Sequence, residues 1–136
     1  MAKLSILCLS DTHNRNKFQT PDDVDVILHA GDHTLGGKIP EITQAAMNLA
    51  DRPAKKRIAI AGNHDWLFQK DPGLARKLFE ERGIIYLQDQ QYVIQKATFP
   101  QLDKDLVVYG APWQPTFYDW AFNLDRGPKI KEKWAM

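Results

Sequence analysis

Three short apolar runs frame this chain. ILCLS at 6–10, VILHAG at 26–31 and IAIAG at 58–62 each lead into a carboxylate or amide with a histidine close by. A fourth run, LVVYG at 106–110, starts in the same way but turns into Ala-Pro-Trp instead. Near-continuous apolar stretches of this length fit strands buried on both faces, as in a parallel sheet covered by helices. Between them lie helical patterns. Ile42, Ala45, Ala46 and Leu49 recur at the spacing of one helix face. The stretch DPGLARKLFEERG offers Asp71 as N-cap, Pro72 as first helical residue and Gly83 as the stop. IIYLQDQQYVIQKATF reads as two strands around a turn at 88–91, with Tyr92, Ile94 and Lys96 alternating against Val93 and Gln95. The Pro- and aromatic-rich tail reads as an ordered loop followed by a helical turn or two. Strand and helix thus alternate before a group of strands, which predicts an α/β domain. All three polar clusters fall at the carboxyl ends of strands, where open α/β sheets bind their ligands.

Composition adds boundaries. At 136 residues the chain is most simply one domain spanning 1–136, and its 43% hydrophobic and 26% charged content is that of an ordinary globule. The single Cys8 excludes a disulfide framework and is expected in the core. No segment is long and apolar enough for a membrane span or signal peptide, so a cytoplasmic location is the expectation. A net charge of +1 argues against a nucleic-acid or anionic-membrane partner.

The clusters carry the chemistry. At an extended strand end, Asp11 and His13 point to one side and can grip one cation. Gly31 allows a sharp turn, and Asp32 offers two oxygens that can bridge two cations. Asn63 supplies a neutral oxygen ligand; His64 is a candidate general acid, with Asp65 expected to hold its ring. Taken alone, Asp11 with His13 and Gly31-Asp32 read more simply as ordinary turn chemistry, while Gly62-Asn63-His64-Asp65 is the more specific string. Together, in order and each at a strand end, they point to a two-metal hydrolytic site. Two cations roughly 3.5–4 Å apart polarise a phosphoryl oxygen and activate water. Oxygen and imidazole ligands without thiolate suit manganese, iron or zinc in a catalytic role.

With DTH at 11–13, GD at 31–32 and GNHD at 62–65, the chain resembles the calcineurin-like metallophosphoesterase superfamily. VILHAGDHTLGG and GAPWQPTFYDWAFNLDRG resemble the branch of metallophosphoesterase-domain-containing proteins. The resemblance implies an αββα sandwich and hydrolysis of phosphate mono- or diesters, cyclic nucleotides among them. It puts Asp11 and His13 on the first metal, Asp32 between the two and Asn63 on the second. It puts His64 near the leaving group, supported by Asp65. Family members continue past the equivalent of Trp134 into a further strand and two histidine-bearing segments. This chain is therefore expected to be a truncated domain without the C-terminal strands and late ligand loops, with a weak second metal site. The strand edge left open points to a homodimer. The rival reading is a catalytically silent relative that binds a nucleotide or a protein partner. Among the remaining residues, His29 reads as a hydrogen-bonded strand residue rather than a ligand. His33 is a candidate for phosphate contact, with a solvated loop histidine as the competing reading. In the aromatic stretch 113–122, Trp113 is the residue expected to face the substrate and the rest to pack the loop.

Overall fold

The computed structural model describes residues 3–17 and 19–135. Four parallel strands form the main sheet in the order β1 (Ile6–Leu9), β2 (Val26–His29), β3 (Lys56–Ala59) and β4 (Ile84–Tyr86). Helix α1 (Ile39–Ala50) joins β2 to β3, and α2 (Trp66–Lys70) and α3 (Pro72–Glu80) join β3 to β4. A two-stranded antiparallel sheet follows, β5 (Gln90–Ile94) with β6 (Leu106–Gly110). Two residues each of β7 (Gln114–Pro115) and β8 (Asn123–Leu124) pair in the tail, which ends in α4 (Pro128–Trp134).

The patterns legible in the chain place the layers. Ile42, Ala45, Ala46 and Leu49 are the buried residues of α1. With Phe68 of α2 and Phe79 of α3, Ile42, Ala46 and Leu49 pack on Ile27, Ala59, Ile84 and Tyr86 of the main sheet. On the opposite face, Val26 and Ile58 meet Ile94, Phe99, Leu106 and Val108 beneath the smaller sheet. This is a mixed α/β fold, a helix layer on a sheet that packs on a second sheet. The Asp71 side chain caps α3 by accepting from the Leu74 N–H at 3.1 Å, as its sequence predicts. Gly83 is left-handed at φ +74°, just past the end of that helix.

Two expectations give way, and one helix carried no sequence signal. β4 and β5 do not form a hairpin: β4 is the last parallel strand, while β5 starts the second sheet. The helix α2 has only five residues, too few to display a period in sequence. Cys8 is exposed rather than in the core. The register pairs Ile6 with Val26 and Cys8 with Leu28, the face that the smaller sheet covers. That sheet has two strands and leaves the outermost β1 bare, with Ile6 41% exposed. Among the described residues no strand pairs with the outer edge of β1.

Candidate metal centre

Each of β1, β2 and β3 ends in a loop, and backbone hydrogen bonds lace the three together. The N–H groups of Asp11, His13 and Asn14 donate to the carbonyls of Gly31, Asp32 and His33 at 3.0, 3.1 and 2.7 Å. Asp11, His13, Asn14 and Asp32 all adopt left-handed backbone, with φ between 44° and 61°. Non-glycine residues take this conformation at a cost, and such strain concentrates at functional sites. It also corrects the expected geometry: Asp11 and His13 share a side because of this turn, not because the strand continues. Gly31 and Gly62 make the contact between loops possible. A Cβ on Gly31 would lie 2.6 Å from the Gly62 nitrogen, and Gly31 itself has φ +99°.

The side chains that result form a compact group. Ligand atoms of His13, Asp32 and His64 all lie within 4.8 Å of one another. Both imidazoles are fixed by backbone. His13 Nδ1 lies 2.8 Å from the Thr34 carbonyl and His64 Nδ1 lies 2.8 Å from the Leu35 carbonyl. A carbonyl only accepts, so each Nδ1 carries a proton, and Nε2 is the atom each ring turns toward a ligand or substrate. The rings meet edge to face at 4.8 Å. Asp32 is buried, and its Oδ1 accepts from the His64 N–H at 2.9 Å. Burial pushes its carboxyl upward, with the Asp65 and Asp11 charges adding, against the lowering effect of the His64 N–H.

Asn63 and Asp11 stand at the margin. Asn63 lies against Asp32: its amide nitrogen donates to the two carboxylate oxygens at 3.1 and 3.0 Å. Asp11 Oδ1 is 3.9 Å from His13 Nε2, on a side chain that is 65% exposed. The sequence thus brings Asp11, His13, Asp32, Asn63 and His64 to one place. His64, read as a catalytic residue, stands among the candidate ligands.

Asp65 has a different job from the expected one. It is fully buried and does not hold the His64 ring. Its Oδ1 accepts from Thr34 N–H and Thr34 Oγ1–H at 3.0 and 2.9 Å, and its Oδ2 from His33 N–H and Gly62 N–H at 3.1 and 2.8 Å. It therefore pins the loop whose next carbonyls, of Thr34 and Leu35, orient both histidines. Thr34 carried no sequence signal of that role, because it orients His13 through its backbone carbonyl.

His33 is also placed differently. It is buried, donates from Nε2 to the Ile60 carbonyl at 2.9 Å and stacks on His29 at 3.7 Å. The left-handed Asp32 folds it back over β3, away from the open face. His29 fits its sequence reading. Its Nδ1 accepts from Gly31 N–H at 3.2 Å and its Nε2–H donates to Thr12 Oγ1 at 2.9 Å. Burial, with the neighbouring His33 and Arg52, drives its pKa down to about 2, so it stays neutral. Trp113 does not face the cluster through a free ring. Its Nε1–H donates to both Asp89 oxygens at 2.8 and 2.9 Å, and Lys133 Nζ sits 4.8 Å from its ring centre. The aromatic ring that does meet the cluster is Trp120, 4.1 Å from His64 between ring centres.

Among the described residues, no helix is long and apolar enough to cross a membrane. Comparison with known proteins agrees with the geometry. The calcineurin-like phosphoesterase family model matches residues 4–134. A human protein named metallophosphoesterase domain-containing protein 1 is 33% identical over 96% of this chain, which covers 44% of that protein. A UPF0046 protein of Caenorhabditis elegans is 30% identical over 97% of this chain, again covering 49% of the relative. The chain thus spans less than half the length of these curated relatives. Loops laced around a histidine–carboxylate group, and a family match over nearly every residue, agree: this chain belongs to the calcineurin-like phosphoesterase family.

Proposed function

We propose that this protein hydrolyses phosphate mono- or diesters in a reaction dependent on divalent cations. One observation carries the reading: His13, Asp32 and His64 converge with both Nε2 atoms open. His13 and Asp32 hold the cation, manganese, iron or zinc, with Asp11 and Asn63 completing its oxygen shell. A cation bound there polarises a phosphoryl oxygen and activates the attacking water. His64 presents Nε2 to the leaving oxygen, and Asp65 keeps the Thr34–Leu35 carbonyls in place to orient it. Nucleotides and cyclic nucleotides are within the substrate class.

The second reading is a cation- or nucleotide-binding relative without turnover. Its support is the thin set of groups for a second cation: the one candidate ligand group among the described residues is His13, Asp32 and His64. Hydrolysis of bis-p-nitrophenyl phosphate separates the two. The expected result is release of p-nitrophenol that requires manganese, stops with EDTA and returns when manganese is restored. Retained manganese without any release supports the silent relative and removes the hydrolase.

A further inference from the structure

The loop between β7 and β8 carries aromatic rings in solvent, two and three residues before Trp120. Phe117 is 56% exposed and Tyr118 is 77% exposed, and their rings contact each other edge to face at 4.6 Å. Exposed apolar rings that adjoin a polar site mark a binding surface more often than chance. This loop is not slack. The Asn123 amide donates to the Tyr118 carbonyl at 2.7 Å, and Arg126 donates to the Thr116 carbonyl at 2.9 Å. At its far end, Ala121 N–H donates to the Asn63 carbonyl at 3.1 Å and Phe122 N–H to Gln69 Oε1 at 2.6 Å. Tyr118 is held left-handed at φ +47°, a strain that a loop with no task would shed by replacing it with glycine or asparagine.

Trp120 links this aromatic loop to the reacting group. It is half-buried, and its ring lies tilted by 34° at 4.1 Å from His64. His64 is thus flanked by His13 on one side and Trp120 on the other. Trp113 cannot serve, since Lys133, Asp89 and Phe122 already occupy its ring and N–H.

From this placement we propose that Trp120, with Phe117 and Tyr118, forms a subsite for the planar aromatic group of the ester, an aryl ring or a nucleobase. The inference rests on the phosphoesterase reading and names the substrate class of the same site. The phosphate lies at His13, Asp32 and His64, and the planar group stacks along the aromatic loop. A simple alkyl ester gains nothing there.

The test is equilibrium binding by calorimetry in manganese, with phenyl phosphate, adenosine 5′-monophosphate and ethyl phosphate as probes. The parent is expected to bind the two aromatic probes about tenfold more tightly than ethyl phosphate, the size of one stacking contact. Trp120→Ala is expected to erase that preference, read as the ratio of aromatic to ethyl phosphate affinity within the variant. Tyr118→Asn tolerates the left-handed backbone and touches no core residue, so it guards against misfolding in the first variant. Loss of preference for the nucleotide alone in Tyr118→Asn assigns the outer subsite to a base; loss for both probes assigns it to any aryl group. An equal preference in the parent and in both variants overturns the subsite. Because binding is read without turnover, a parent that binds aromatic probes selectively but releases no p-nitrophenol would sink the hydrolase reading and not the subsite.

Discussion

Replacing His64 with alanine is expected to lower kcat on a phosphodiester by about 10²–10⁴-fold, with the fold intact. The ring is held at Nδ1 by the Leu35 carbonyl, and its Nε2 lies with His13 and Asp32. It contributes no core packing, so its removal leaves the sheet and helices untouched. Leaving-group chemistry separates the roles it can play. A general acid matters most when the departing oxygen is a poor leaving group and least for p-nitrophenolate, which departs without a proton. The loss should therefore be near the top of that range for an alkyl ester and near the bottom for a p-nitrophenyl ester. Steady-state rates on the two esters, parent against His64→Ala, check this. An equal loss on both would make His64 a cation ligand alone.

Asp65→Ala is expected to destabilise the protein by about 4 kcal/mol. The carboxylate accepts four hydrogen bonds, from Gly62, His33 and twice from Thr34, and it is fully buried. Alanine leaves the N–H groups of Gly62, His33 and Thr34 without this partner in the interior, while Thr34 Oγ1–H keeps the His64 carbonyl at 3.3 Å; each orphaned group costs about 1–3 kcal/mol, not fully additively. Against a total stability of about 5–15 kcal/mol for an ordinary domain, that is close to unfolding. Asp65→Asn should lose less, because its amide oxygen still accepts, though its nitrogen would face N–H groups. Urea midpoints compared at constant slope measure both. A shift corresponding to less than about 1 kcal/mol for alanine would show that other bonds tie the loops together.

The two changes trace how much the chain discloses. Period and caps were enough for α1 and α3, since Ile42, Ala45, Ala46 and Leu49 form one face and Asp71 caps the second helix. Convergence of residues 11, 32 and 63 was also legible, because three similar clusters at parallel strand ends must lie on one side of the sheet. What stayed hidden depends on backbone and on neighbours distant in sequence. The carbonyls of Thr34 and Leu35 choose the histidine tautomers, and any residue type could supply a carbonyl. Asp65 beside His64 suggested a pair, yet the turn points the carboxylate inward to N–H groups some thirty residues earlier. His33 looked like loop chemistry until a left-handed Asp32 folded it under the sheet end. Cys8 sits in an apolar run on a strand with an uncovered face, which depends on how far the second sheet reaches. Trp113 and Trp120 are alike in sequence, and only the position of Lys133 and Asp89 decides which one is already engaged.

The central claim is that one cation is held between the loops of β1, β2 and β3. Metal content after manganese loading and gel filtration tests it most directly, comparing the parent with His13→Ala and Asp32→Ala. Manganese should stay with the parent in a defined ratio and be lost from both variants while their circular dichroism stays unchanged. Manganese retained equally by all three chains, or by none, would contradict it.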